Sequence, residues 1–368
     1  MKLSKIFIDT TVSDFPLVQE ICKRYPNTPQ RTVPDVTSVY DAVQQSKDPI
    51  SEGKRTLFLT KNRGPFLRPC PGTRSYICCG YHILHIGTFC HMDCAYCILQ
   101  AYFNPPVLQL FVNHDDMFRE LDTLGTVSGS FHRIGTGEFT DSLIWESALP
   151  FAEILISRFA SQNRAVLELK TKTVAIKHLA NLSHNRKTIL AWSLNAPAVI
   201  KQEERRTARL EARLNAAAQC QQWGYPIAFH FDPLVIYDGW EEDYREVINR
   251  LFESIDPQNI VWISLGTFRF MPSLKPIIKK RFPDSKIIYG EFIQGLDKKM
   301  RYFKPLRIEI YRKMAEWIKT RAPEVCLYFC MEDEEVWQKV LGFIPEERGG
   351  LSKMLDESAA RHCGLDIT

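Results

Sequence analysis

Three cysteines, Cys90, Cys94 and Cys97, stand at spacing Cys-x3-Cys-x2-Cys. Thiolates at such short intervals read as ligands to a soft metal ion or an iron–sulfur cluster. A structural zinc or a four-thiolate cluster takes a fourth protein ligand nearby, whereas the next cysteine downstream is Cys220. Three thiolates on a four-iron cluster leave one iron open, and an open iron can chelate a cofactor or a substrate. Tyr96 stands just before the last cysteine, where an aromatic ring can lie against an adenine. The competing readings are a zinc knuckle completed by His91 or an upstream cysteine, and cysteines buried as small hydrophobes.

The motif resembles that of the radical SAM superfamily. The resemblance implies a [4Fe–4S] cluster on Cys90, Cys94 and Cys97, with S-adenosylmethionine (SAM) on the open iron. A reduced cluster would cleave SAM to a 5′-deoxyadenosyl radical that abstracts hydrogen from a substrate, the cofactors carrying the hard chemistry. A reductant such as flavodoxin or ferredoxin is then needed. Arg133-Ile134-Gly135-Thr136-Gly137-Glu138 falls where such enzymes carry a Gly-Gly-Glu type motif. Gly135 and Gly137 let the backbone approach a ligand, and Glu138 can accept hydrogen bonds from the SAM ammonium. The plain alternative is a strand-end turn with a solvated Glu.

The resemblance narrows to the spore photoproduct lyase family, from about residue 56 to about 281. It is carried by Cys94–Gln100, Phe111–Phe118, Thr171-Lys172, Ser193-Leu194-Asn195, Arg213–Ala217, Gly239-Trp240-Glu241 and Arg269-Phe270. Lys172, Ser193 and Asn195 fall on SAM-contacting positions of that family; read alone they are a solvated Lys and a strand-end turn. Two departures stand out. The lyases carry a hydrogen-donating cysteine where this chain has Glu138, and a tyrosine where it has Ile98. A carboxylate cannot give up a hydrogen atom as a thiol does, so Glu138 marks a different quenching step or substrate at the catalytic place.

Cys70, Cys78 and Cys79 are additions relative to the lyases. They read as a replacement hydrogen donor, as ligands to a second metal, or as buried small hydrophobes. Cys78 and Cys79 are adjacent on a predicted strand, so one at most faces the interior. Cys326 and Cys330 read as structural. His230 and Asp232 share one strand face and suit substrate, the adenine edge or a core pair. Arg269 suits a phosphate or carboxylate.

The elements that must position these residues alternate. Strand-like runs occupy Tyr76–Ile86, His132–Gly137, Ala165–Lys170, Thr188–Leu194, Pro226–Phe231 and Ile260–Leu265. Helical runs occupy Leu143–Phe159, Val174–Leu182, Ala208–Trp223 and Glu241–Ile255. The alternation implies an α/β fold with a parallel sheet, and six units make a partial (β/α)6 TIM-type barrel with its chemistry at the C-terminal mouth. A turn-rich stretch from Lys61 to Thr73 suggests a boundary. Expected divisions are a small N-terminal α/β region (1–75), the barrel (76–285) and a C-terminal extension (286–368). Within the last, Lys286–Tyr289 and Val325–Phe329 read as strands, Leu306–Thr320 as a helix, and the chain from Arg348 as a tail.

The chain has 368 residues, 45% of them apolar, and eleven cysteines. No apolar run reaches the roughly 18 residues of a membrane span, and the first residues lack a signal core, so a cytoplasmic protein without disulfides is expected. A net charge of +4 permits DNA or another nucleic acid as partner without arguing for it. The functions in view are a radical SAM enzyme, spore photoproduct lyase-like repair of ultraviolet pyrimidine dimers with a substitute thiol donor, and a non-catalytic zinc or DNA-binding protein.

Overall fold

All six strand runs become parallel neighbours in one sheet of the computed structural model. They are β1 (His82–Leu84), β2 (His132–Gly135), β3 (Ala165–Thr171), β4 (Thr188–Ser193), β5 (Ile227–Leu234) and β6 (Ile260–Thr267), in that spatial order. Every residue of β4 and β6 is buried, as expected of strands covered on both faces. A seventh strand, β7 (Leu327–Phe329), continues the sheet parallel to β6. Leu67–Pro69 pairs antiparallel with β1 at the other edge. The structure describes residues 1–72, 75–124 and 131–366; Thr73, at the end of the predicted boundary stretch, lies outside them.

The sheet curls so that its two ends are tied by the chain itself. Tyr76–Tyr81, read from the sequence as the start of the first strand, is not strand. It runs from one edge toward the other, and Ile77 N–H donates to the Glu332 carbonyl just beyond β7 (3.0 Å). A second, five-stranded sheet has the order 30–33, 5–9, 56–60, 108–111, 87–88. Its last two strands come from the loop between β1 and β2, so this sheet holds the loop that carries the three cysteines.

The helices depart from the sequence reading where local chemistry intervenes. The first breaks at Pro150, which ends a short 3-10 turn and opens α1 (Phe151–Phe159). Val174–Leu182 is only one 3-10 turn, Lys177–Leu179. Side chains from the sheet claim its carbonyls instead: Trp192 donates to Thr173 (3.1 Å) and Tyr225 to Leu179 (2.9 Å). The next two form as α2 (Leu210–Gln222) and α3 (Trp240–Ser254), and α4 (Lys304–Arg321) covers the predicted late helix.

Two expectations for the C-terminal extension are corrected. Lys286–Tyr289 is a turn: Tyr289 N–H bonds back to Lys286, and Ile287 and Ile288 are both buried rather than alternating. The expected tail is α5 (Leu351–Cys363). Leu351, Leu355, Ala359 and Cys363, spaced every four residues, make its buried stripe. Asp356 on this helix pairs with buried Arg133 of β2 (2.6 Å).

Candidate active site

A cavity of about 400 Å³ opens at the C-terminal ends of the strands. Cys90, Cys94, Tyr96 and Cys97 form one wall. Cys90 and Cys94 are nearly closed off, and burial pushes the Cys90 thiol up to about 12 and that of Cys94 up as well. Only a metal centre would make thiolates of such groups.

The loop that bears them is scaffolded from four directions. Phe89, at φ +69, turns the chain into the motif. Behind it lies Lys54, 1% exposed, donating to the carbonyls of Cys90 (3.1 Å) and Met92 and pairing with Asp93 (3.7 Å). Gln100 donates to the carbonyls of Cys94, Ala95 and Cys97, and Arg281 grips Asp93 (3.0 Å) and Gln100. On the far side Asp93-Cys94 pairs antiparallel with Glu204-Arg205. Tyr96 OH donates to Glu204, itself paired with fully buried Arg213 (2.5 Å).

The strand ends furnish the opposite wall. Glu138 after β2 pairs with Lys170 of β3 (2.5 Å). Lys172 lies 5.9 Å from the Tyr96 ring centroid. Its N–H, with the Thr171 hydroxyl, donates to Asp141 (2.8 Å each), whose carboxyl is raised by burial. Ser193 lines the cavity, and its carbonyl accepts from Arg213 (2.7 Å). Deeper, His230 bridges Glu168 and Ser264, 2.7 Å to each. Burial alone would raise the Glu168 carboxyl, but His230 and Lys170 outweigh it and bring it to about 2. Asp232 and Arg269 form a two-point pair (3.2 and 2.9 Å).

Of the residues singled out from sequence, Cys90, Cys94, Tyr96, Cys97, Gly137, Glu138, Lys172, Ser193 and Cys79 meet at this cavity. Three do not. A Cβ on Gly135 would lie 1.4 Å from the Tyr81 hydroxyl, so that glycine admits Tyr81. Asn195 is buried beside the cavity, donating to the Pro233 carbonyl (2.9 Å) and accepting from Tyr244 (2.7 Å). Cys78 points outward, into a separate groove. Cys330, expected to be structural, lines the cavity and accepts from Arg269 (3.4 Å). Lys54, Gln100, Glu204, Arg213 and Arg281 carried no motif; a buried charge gives no signal until its distant partner is known.

Among the described residues, no three His, Cys, Asp or Glu side chains converge as a single metal ion requires. A cubane cluster binds each thiolate on a different iron, so its ligands are spread apart. His91 is not part of the cavity wall, and burial lowers its ring to about 4. The donor set therefore fits a cluster better than a zinc knuckle.

A parallel half-barrel with three cysteines in the loop after its first strand is the architecture of the radical SAM superfamily. Within that class the chain belongs to the spore photoproduct lyase family, whose model matches residues 74–313. The spore photoproduct lyase of Bacillus subtilis (strain 168) is 28% identical over 215 residues, 57% of this chain and 63% of that protein. That of Clostridium acetobutylicum is 24% identical over 297 residues, 77% of this chain and 83% of its own. The chain thus spans under two thirds of the Bacillus relative. A solved spore photoproduct lyase with bound AdoMet and dinucleoside spore photoproduct superposes with a TM-score of 0.76 at 20% identity, covering 90% of this chain and 98% of the other. No helix among the described residues is long and apolar enough to cross a membrane.

Proposed function

We propose that this chain is a radical SAM enzyme acting on a nucleic acid. The observation that carries this is one cavity with three buried cysteines on one wall and the Glu138–Lys170 pair on the other. In this reading Cys90, Cys94 and Cys97 hold three irons of a [4Fe–4S] cluster, reduced by a small electron carrier of the flavodoxin or ferredoxin kind. The bound cluster and SAM together supply a hydrogen-abstracting adenosyl radical. The chain's own residues bind, orient and shield.

Glu138 receives an ammonium, while Lys170 and Lys172 offer cations to a carboxylate. Tyr96, pinned by Glu204, is a flat wall for an adenine. Ser193 and the Gly137 backbone complete that rim. Gly137 permits close approach, since a Cβ there would meet Lys170 Cβ at 2.9 Å. Asp232 and Arg269 stand on the substrate side.

The test is anaerobic reconstitution with iron and sulfide, reduction, addition of SAM, and assay of 5′-deoxyadenosine in wild type and Cys97→Ala. Release by the wild type alone supports the reading. No cluster in wild type overturns it.

A second reading is repair of pyrimidine dimers in DNA with a substitute thiol donor. It is favoured by Cys70, Cys79 and Cys330, which line the same cavity without belonging to the three-cysteine motif. In deuterium oxide the repaired thymine would then carry one solvent deuterium, because thiol hydrogens exchange. Unlabelled product rules this reading out.

A further inference from the structure

Of the eleven cysteines, all within the described residues, Cys78 alone is exposed. It lines an open groove of about 730 Å³ on the outer face, with Tyr76, Lys304, Asp333 and Ser352. Its neighbour Cys79 lines the inner cavity. The two side chains hydrogen-bond to each other, so the pair spans the wall between groove and cavity. The sulfur of Cys78 is also seated: a Cβ on Gly72 would lie 2.9 Å from it. Backbone N–H groups of Cys79 and Gly80 face it, with Gly80 at φ +69, and the buried Arg133 guanidinium donates to the Cys79 carbonyl.

We propose that Cys78 and Cys79 form a thiol–disulfide exchange site, at which a small-molecule disulfide reacts in the outer groove and the change is carried to the thiol inside the cavity. The Cys78 thiolate attacks one sulfur of the disulfide; the old S–S bond breaks and one thiolate leaves, taking a proton from water. The Cys79 thiol then yields its proton to solvent. Its sulfur attacks Cys78, forming the Cys78–Cys79 disulfide and expelling the second thiolate. Two protein thiols are oxidised and one disulfide is reduced to two thiols; a reduced thiol runs the sequence backwards. The pair controls whether the cavity holds a free Cys79 thiol.

The electrostatics support the order of attack. The hydrogen bond from Cys79, the Gly80 N–H and nearby Arg133 outweigh partial burial and lower Cys78 to about 5, while the buried Cys79 is raised. The charged groups facing Cys78 are Arg133 on β2, Lys304 on α4, and Asp333, Glu334, Glu335 and Glu346 on the groove's opposite rim. A thiol titrating near 5 is almost wholly thiolate at pH 6, against roughly 0.3% for an ordinary thiol, but each of its thiolates is ~25–55-fold less nucleophilic. The net advantage is roughly five- to ten-fold at pH 6, and it vanishes above pH 7.

The experiment uses the full chain without cluster or SAM, so its failure is separate from any failure of the radical reading. Iodoacetamide labelling with peptide mass spectrometry, run from pH 4 to pH 9, follows Cys78 and Cys22. Cys78 should label with a midpoint near pH 5 and lead Cys22 roughly five- to ten-fold at pH 6. Oxidised glutathione should leave wild type with a Cys78–Cys79 disulfide and no adduct, and leave Cys79→Ser with glutathione retained on Cys78. A Cys78 midpoint at pH 8 or above, or a persistent Cys78 adduct in wild type, overturns the proposal. If Cys79→Ser does not fold, the wild-type disulfide map decides alone.

Discussion

Lys54→Met tests whether the cysteine loop is built from behind. The ammonium is 1% exposed and makes two hydrogen bonds to loop carbonyls besides its contact with Asp93. A hydrogen bond involving a charged group contributes ~1.5–3 kcal/mol net. Methionine keeps the volume, and Asp93 keeps Arg281 at 3.0 Å, so no carboxylate is stranded. The two carbonyls lose their donor, and the expected loss is about 3 kcal/mol. With an unfolding entropy of ~2.1 cal/mol/K per residue, a chain this long should melt about 4 °C lower. The assay pairs a thermal melt of the cofactor-free protein with iron and sulfide content after reconstitution. Loosened carbonyls of Cys90 and Met92 should also lower cluster content. A variant that melts within 1 °C of wild type and loads iron equally refutes the reasoning, because the loop would then hold its own shape.

The Glu168 carboxyl sits at about 2 in the folded chain, below the usual ~4.3 of an unfolded one. Its stabilisation is full above pH 4.3 and is lost as pH falls toward 2. Between pH 6 and pH 3 wild type should therefore lose about 2 kcal/mol that Glu168→Gln does not, read from paired urea melts; parallel loss in both proteins refutes it. Arg213→Met strands Glu204, which is 1% exposed at its side chain, and should cost ~3–5 kcal/mol, with Tyr96 fluorescence shifting as its anchor relaxes; an unchanged melt counts against the pair. Gly135→Ala places a methyl 1.4 Å from the Tyr81 hydroxyl and should destabilise by ~1–3 kcal/mol. A neutral outcome in the melt would mean that Tyr81 moves freely.

What was legible in the sequence was local. The six barrel strands announced themselves as apolar runs, and the three cysteines by spacing, because both signals lie within about ten residues. The period of two along a strand separated Cys78 from Cys79 correctly, although that stretch proved to be extended chain rather than sheet. Lys54, Arg281 and Glu204 were invisible because their partners lie 36, 188 and 108 residues away. Lys286–Tyr289 misled because two adjacent isoleucines buried in a turn look like a strand. The helix after Gly350 was passed over because its stripe of Leu, Leu, Ala and Cys is weakly apolar, and its value depends on Arg133, 223 residues earlier. Cys330 was undervalued for the same reason: nothing near it in sequence discloses the cavity.

The clasp between Ile77 and Glu332, with the pairing of Arg133 to Asp356, bears on how the molecule is made. β1 to β6 can assemble as they leave the ribosome, but Tyr328 and Cys330 cannot join the cavity until hundreds of later residues have emerged. Before then the site is an open trough with its cysteine loop already framed by the second sheet. A bulky inorganic cargo can be delivered to a trough more readily than to a closed chamber. Contacts of such long separation are also the slowest to form, so the interval for loading is set by chain topology rather than by any moving lid.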